Sequence, residues 1–132
     1  MGRLQNTANG GNGNVDQDID RALMAVVRAL RRAVDAKVGL DCSFGERERA
    51  MLAIGNEAQR RLLEQELQSV ADAHGRDLLI NETLYREFRP GSHSYASLCG
   101  ALHVSRSTYR QVAVRNGPTV VPLELQAGLV EG

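Results

Sequence analysis

The spacing of apolar residues changes once along this chain, near residue 75, and that change constrains the fold more than any single residue. Before it, apolar residues recur every three or four positions, which is the period of an amphipathic helix. From Asp77 onward they alternate with polar residues, which is typical of half-buried strands. The sequence therefore predicts an α+β protein, with an amino-terminal helical hairpin within residues 15–75 and a small antiparallel β-meander over residues 76–115.

The first helix is predicted from a stripe of apolar residues and from the residues at its ends. Residues 1–14 are rich in Gly and Asn and offer little to bury, so they are expected to be a disordered tail. Gly39 stands where a left-handed carboxy-terminal cap would end the helix. The stripe is formed by Ile19, Leu23, Val26, Leu30 and Val34.

The second helical stretch begins at a capping box, in which Ser43 is followed three residues later by Glu46. A stripe from Met51 to Val70 continues the helical period. Gly55 interrupts this stripe, so the pattern leaves open one kinked helix or two separate helices. We interpret the helical hairpin as scaffold.

Turn residues divide the second half of the chain. Asn81-Glu82 separates two short predicted strands, Pro90-Gly91-Ser92 predicts a turn, and Asn116-Gly117-Pro118 predicts another. The last segment, residues 116–132, contains apolar residues with little chain left to cover them, so we expect it to be the start of a missing downstream domain. These apolar residues are Leu123, Leu125, Ala127, Leu129 and Val130.

The segment from Tyr95 to Val114 has two interpretations. As a helix–turn–helix, it would place a first helix before His103 and a recognition helix over residues 107–115. Gly100 inside the first helix and His103 at the turn position argue against this. With period two, the same segment is a strand, and one face would carry Leu102, Val104, Arg106, Thr108, Arg110 and Val112. Residue preferences alone leave both interpretations open.

Charge and composition exclude several classes of function. The formal net charge is zero, so the chain is not a globally basic nucleic-acid binder. No apolar stretch is long enough to cross a membrane, and residues 1–11 do not form a secretory signal. Cys42 and Cys99 lie far apart in sequence with no Cys-x-x-Cys partner, so we expect free thiols in a reducing cytoplasm. His93, Cys99 and His103 lack a fourth ligand and the spacing of common zinc sites, so no metal or cofactor is predicted.

Residues 75–132 resemble the amino-terminal region of the Kra-type family of bacterial insertion-sequence transposases. Residues 44–74 also look similar, although less specifically. The chain has Arg-Asn-Gly where relatives often carry Cys-x-x-Cys-like residues, which again predicts no metal. The matching features are Tyr95, Ser97-Leu98-Cys99-Gly100, Val104, Arg106, Thr108-Tyr109-Arg110, Asn116-Gly117-Pro118 and Pro122-Leu123-Glu124-Leu125.

The resemblance implies a β-meander with Gly100 between strands. It also implies that full-length relatives cut DNA with three carboxylates and two divalent metal ions, which lie downstream of this region. We therefore expect a truncated transposase fragment that contacts DNA and forms a homo-oligomer, and that is not an enzyme. The alternatives are a small helix–turn–helix transcriptional regulator and a degenerate fragment without function. The residues expected to contact DNA phosphates are Arg89, Arg106, Arg110 and Arg115.

Overall fold

The computed structural model describes the backbone of residues 2–129 and the side chains of residues 13–129. Two amino-terminal helices precede a four-stranded antiparallel sheet with strand order β1-β2-β3-β4, and a short helix follows it. The predicted α+β class and the antiparallel meander are confirmed. The elements are α1 (Gly2–Val38), α2 (Phe44–Asp72), β1 (Asp77–Ile80), β2 (Thr83–Tyr95), β3 (Leu102–Gln111), β4 (Thr119–Val120) and α3 (Pro122–Ala127).

The chain divides into two compact units, Met1–Gly55 and Asn56–Gly132, and the boundary lies inside α2. Composition placed the boundary between the helical segment and the meander near residue 75. The difference has a physical reason, because side chains from the second half of α2 form hydrogen bonds with the backbone of the sheet segment. That half of the helix therefore belongs with the strands.

Helix α1 ends as its sequence predicts. Gly39 has a φ of 74° and its N–H donates to Asp35 O, which is a left-handed cap. At the other end the helical backbone begins at Gly2, and the expected disordered tail over residues 1–14 stays a prediction. A helix extends from an established segment by one hydrogen bond per added residue, and the amphipathic segment after residue 14 provides that start. The side chains of residues 1–12 lie outside the described part.

The first unit contains α1 and the beginning of α2, and an ion pair links the two helices near their connection. The Arg47 guanidinium contacts the Asp35 carboxylate, which raises the pKa of Arg47. Val34 and Ala50 are the buried apolar residues of this unit among the described side chains. The large apolar residues of α1 from Val15 to Val27 remain about half exposed.

Helix α2 is continuous through Gly55. Of the two alternatives that the sequence left open, the structure therefore has one helix and not two. A helical Gly costs only about 1 kcal/mol relative to Ala, which a helix of 29 residues tolerates. The amino-terminal cap is the predicted one, since the Glu46 N–H donates to Ser43 Oγ at 3.1 Å.

The hairpin between β1 and β2 forms at the predicted residues. Asn81 and Glu82 have φ values of 49° and 66°, and Ile80 pairs with Thr83 across the turn. Positive φ at both central residues is the property of a type I′ turn, whose twist matches that of the flanking strands.

The predicted turn at Pro90-Gly91-Ser92 is wrong, because these residues lie inside β2 and pair with residues 105–107 of β3. Pro lacks the N–H that a central strand requires, but it is accepted at a sheet edge. β1 pairs with β2 only as far as Arg86. The other side of β2 at Pro90 is therefore an edge, and the missing N–H is not needed there.

Residues 102–111 form strand β3, so the helix–turn–helix interpretation of this segment is not supported. Gly100 lies in the connection between β2 and β3 with a φ of 118°, as the meander requires. The Gly100 N–H donates to Ser97 O, and the Ser97 N–H donates to Gly100 O. Two backbone hydrogen bonds thus close the connection, and Gly100 lies in a backbone conformation that only Gly adopts easily.

The predicted face of β3 is correct only for part of the strand. Leu102 and Val104 are buried, but the next fully buried residue is Tyr109, five positions after Val104. Strict alternation would place Val104 and Tyr109 on opposite faces. The alternation of β3 therefore breaks between Val104 and Tyr109, and nearby the register with β2 shifts between Glu87 and Arg89, which leaves Phe88 as an additional residue in β2. This shift was not visible in the apolar pattern.

Helix α3 contributes to the core of the second unit. Leu123 is 1% exposed and forms the core cluster with Tyr95 and Val104, and Leu129 packs against it. The expectation that Leu123 and Leu129 would be left uncovered is therefore wrong, because α3 returns them to the sheet. Leu125 is exposed as expected, and Val130 lies outside the described residues.

Candidate nucleic-acid interface

Helix α2 is held against the sheet segment by four polar side chains spaced one turn apart. Every fourth residue of the helix meets every second residue of the extended chain, because four helical residues rise about 6 Å and two strand residues rise about 6.6 Å. The four contacts are Asn56 to Cys99 O, Arg60 to Ala101 O, Glu64 from His103 N–H, and Gln68 with both backbone groups of Ser105. These contacts cover the edge of β3 that β4 leaves open.

An ion-pair network on α2 orients two of these contacts. Arg60 lies between Glu57 and Glu64, with N–O distances of 2.9 and 2.7 Å. Hydrogen bonds from Arg60 and Arg61 lower the pKa of Glu57 to about 2. The backbone N–H of His103 and the Arg60 guanidinium lower the pKa of Glu64. Both carboxylates are therefore ionised at neutral pH and are already engaged.

Arg106, one of the four predicted DNA contacts, is engaged inside the second unit. Its Nε donates to the Tyr95 hydroxyl at 3.2 Å, and its Nη2 lies 3.4 Å from Glu124 Oε2. The Arg106 side chain is only 11% exposed. Burial raises the pKa of Tyr95, whose hydroxyl donates to Glu124. Arg106 is therefore a largely buried residue whose charge is balanced by Glu124.

Arg110 lies on the opposite face of the sheet from the core. Its neighbour Tyr109 is buried, and the Tyr109 hydroxyl donates to Gly75 O after the end of α2. Burial raises the pKa of that hydroxyl. Because successive strand residues point to opposite faces, Arg110 points away from α2.

Two predicted residues, Arg89 and Arg110, converge on the ring of Phe88. The guanidinium carbon of Arg110 lies 3.6 Å from the ring centroid, and that of Arg89 lies 5.3 Å from it. Guanidinium groups stack favourably on aromatic rings and retain their outward N–H donors. We call Phe88, Arg89 and Arg110 the arginine–phenylalanine cluster.

The cluster includes an unsatisfied donor. Among the described residues, Arg110 Nε is the buried side-chain N or O atom that lacks a hydrogen-bond partner. Arg86 pairs directly across the strands with Arg110, but its charge is balanced by Asp77 at 2.8 Å. A shallow concavity of about 230 Å³ adjoins these residues, lined by Arg86, Glu87, Phe88, Arg110, Gln111, Val112 and Ala113.

Arg115 lies in the exposed turn that follows β3. From Phe88 to Leu123 the sequence contains no Asp or Glu. Arg89, Arg110 and Arg115 are thus basic residues in an acid-free stretch, and the structure brings the first two together on Phe88. The role of Phe88 was not predicted, because the bulge that places it beside Arg110 depends on strand register.

A larger cleft of about 510 Å³ lies on the α2 side of the sheet, but several of its polar side chains already have hydrogen-bond partners. The Ser107 hydroxyl donates to Glu87 at 2.8 Å, and His74 forms a hydrogen bond with Gln126. Arg106 and Tyr109 are engaged as described above. Because a binding site needs polar groups directed at a ligand, this cleft is a weaker candidate than the arginine–phenylalanine cluster.

The two divalent metal ions implied by the transposase resemblance do not fit this part of the chain. A two-metal site needs several carboxylates directed at one point. Within residues 13–129, no three side chains among His, Cys, Asp and Glu are grouped so that they could hold a metal ion. We therefore derive no catalytic step through a metal here.

Two further findings bear on function. Over the described part of the chain, no helix has the length and apolar character needed to span a membrane. No protein-family model, curated protein or solved structure matches this chain.

Proposed function

We propose that this chain is a DNA-contacting amino-terminal region of a bacterial insertion-sequence transposase and that it acts in the cytoplasm. The observation that carries the proposal is the arginine–phenylalanine cluster, in which two guanidinium groups share one exposed ring. The resemblance of residues 75–132 to the Kra-type family supports the transposase assignment. The strand at residues 102–111 agrees with the meander that this resemblance implies.

The proposed contact is electrostatic and directed at the phosphate backbone. Arg89 and Arg110 both contact the ring of Phe88, and Arg115 lies in the exposed turn after β3. Arginine donates two parallel hydrogen bonds to phosphate oxygens, and the terminal nitrogens of the guanidinium group can supply both donors. Stacking on Phe88 fixes the guanidinium planes, so less entropy is lost when phosphate binds.

The proposal assigns no catalytic role to the acids of this chain. The carboxylates near the sheet are engaged in ion pairs, Asp77 with Arg86 and Glu124 with Arg106. Glu57 and Glu64 are held by Arg60. We therefore propose that the chain is not an enzyme by itself.

The experiment is fluorescence anisotropy of a labelled 20-base-pair duplex titrated with the full chain at several salt concentrations. For sequence-independent phosphate contacts, we expect a Kd on the order of 10⁻⁵ M at physiological salt. Three phosphate contacts give a slope of log Kobs against log salt of about −2.7. Arg89→Gln and Arg110→Gln should each weaken binding and reduce the magnitude of the slope by about 1.

The matched control is Arg61→Gln, which removes one exposed positive charge from α2. It should leave the affinity unchanged if the cluster, and not the net charge, attracts DNA. Arg110→Lys keeps the charge but loses the stacked plane, and we expect an intermediate affinity. Equal losses for Arg61→Gln and Arg110→Gln would contradict the assignment, as would no binding at low salt.

A further inference from the structure

Helix α1 carries an apolar face that the described residues leave uncovered. Between residues 15 and 27, large apolar side chains are 50–59% exposed although they repeat with helical spacing. Isolated exposed apolar residues are common, but a continuous stripe of this kind marks an interaction surface. We call Val15, Ile19, Leu23, Val26, Val27 and the partly exposed Leu30 the α1 stripe.

We infer that the α1 stripe is a self-association surface, on which α1 of a second copy of this chain packs in antiparallel orientation. The inference does not depend on the proposed DNA contact. Its first support is the symmetry of the stripe about a point between Met24 and Ala25. In an antiparallel pair centred there, Ile19 of one copy meets Leu30 of the other, and Leu23 meets Val26. Such reciprocal contacts are required at a two-fold interface: if residue i of one copy contacts residue j of the other, residue j of the first copy contacts residue i of the second.

The charges along α1 give the second support. Residues 15–24 contain Asp16, Asp18, Asp20 and Arg21, a formal charge of −2, whereas residues 25–34 contain three Arg and no acid, a formal charge of +3. In an antiparallel pair each acidic half lies beside a basic half. A parallel pair would place like charges together, which is unfavourable.

A specific ion pair follows from the helical period. Asp20 and Arg31 are eleven residues apart, which is close to three full turns, so both lie on the same flank of the α1 stripe. Both are exposed. In the antiparallel pair, Asp20 of each copy faces Arg31 of the other, while in a parallel two-fold pair the two Asp20 side chains lie on opposite sides of the interface and neither faces Arg31.

The test begins with the mass of the full chain in solution, measured by sedimentation equilibrium between about 1 and 200 µM. We expect a monomer–dimer equilibrium. Leu23→Gln with Val26→Gln should raise the dissociation constant at least tenfold. Met24→Gln is the matched control, since Met24 is 52% exposed but lies off the α1 stripe, and it should leave the equilibrium unchanged. Circular dichroism verifies that the helix content of each variant is retained.

Charge exchange tests the orientation without altering the apolar face. Asp20→Arg and Arg31→Asp should each weaken self-association, and mixing the two variants should restore a dimer that contains one copy of each. In a Cys42→Ser, Cys99→Ser background, Ile19→Cys mixed with Leu30→Cys should form a mixed disulfide faster than Ile19→Cys alone links to itself.

Several outcomes would overturn the inference. They are a monomer at every concentration, a dimer that Leu23→Gln with Val26→Gln does not weaken, and faster linkage of Ile19→Cys to itself, which indicates parallel packing. Slow hydrogen exchange of α1 in a monomer would show that another segment of the same chain covers the stripe. A stoichiometric complex with a different protein, formed without self-association, would likewise replace the second copy as the occupant.

Discussion

The side-chain amide of Gln68 pairs with both backbone groups of Ser105. Gln68 Nε2 donates to Ser105 O at 2.9 Å, and the Ser105 N–H donates to Gln68 Oε1 at 2.9 Å. A helix side chain thus takes the place of a neighbouring strand at the open edge of β3. The Asp72 carboxylate also accepts a hydrogen bond from Gln68 Nε2, which fixes the orientation of the amide.

Gln68→Ala should therefore weaken the packing of α2 against β3. Two hydrogen bonds to exposed backbone groups are replaced by hydrogen bonds to water, so we expect a loss of about 1 kcal/mol in the free energy of unfolding. Urea denaturation followed by circular dichroism measures the loss. Gln65→Ala, an exposed position on the same helix, should change stability by less than about 0.5 kcal/mol. Equal effects at both positions would show that the paired amide contributes nothing.

Low pH should also weaken the packing of α2 against β3, because it protonates Glu64 and Glu57. Their pKa values are lowered in the folded state from an ordinary value of 4.5, to about 2 for Glu57. A carboxylate whose pKa is lowered by folding contributes its full stabilisation when the pH is above the pKa of the unfolded state. This stabilisation is lost as the pH falls through the pKa of the folded state. We expect stability to be retained at pH 5 and to decline between about pH 4.5 and pH 2.

Glu64→Gln tests this dependence. Wild type should exceed the variant in urea midpoint at pH 7 and pH 5, and the difference should shrink as pH falls below 4.5. In an Arg60→Gln background the difference should be smaller at every pH, because the guanidinium that favours the Glu64 carboxylate is gone. If Arg60 is kept and the difference in urea midpoint between wild type and Glu64→Gln stays constant with pH, the Glu64 carboxylate is not the source of that difference.

The burial of α3 predicts different costs at two nearby leucines. Leu123 is 1% exposed, whereas Leu125 is 64% exposed. Leu123→Ala should destabilise the protein by about 3 kcal/mol, since it leaves a cavity beside Tyr95 and Val104. Leu125→Ala should cost less than about 0.5 kcal/mol. Thermal unfolding of both variants measures the difference, and similar values for the two would mean that α3 does not pack on the sheet.

The β1–β2 turn should be stabilised by a glycine. Glu82 has a φ of 66°, a conformation that costs an L residue about 1–2 kcal/mol. Glu82→Gly relieves this cost and forms the Asn-Gly pair that type I′ turns favour, so the free energy of unfolding should rise by about 1 kcal/mol. Glu82→Ala removes the same carboxylate without relieving the backbone and is the control. A lower stability of Glu82→Gly than of Glu82→Ala would contradict the turn assignment.

Local signals in the sequence determined much of the fold. The α1 stripe and Gly39, the Ser43–Glu46 cap, and the turn at Asn81-Glu82 each depend on residues close together in the chain. Their physical causes are helical periodicity, capping and the φ preference of turn residues, and these act within a few positions. For this reason the end of α1, the start of α2 and the first hairpin were predicted correctly.

Tertiary structure alone decided the remaining features. Pro90 is accepted in a strand because the pairing of β2 with β1 does not extend past Arg86, and Arg106 is neutralised because α3 brings Glu124 beside it. Phe88 supports Arg110 because a bulge sets the register between β2 and β3. Each of these contacts joins residues from different elements. The charge and apolarity of a residue could be read from the sequence, but its partner depended on how the elements pack.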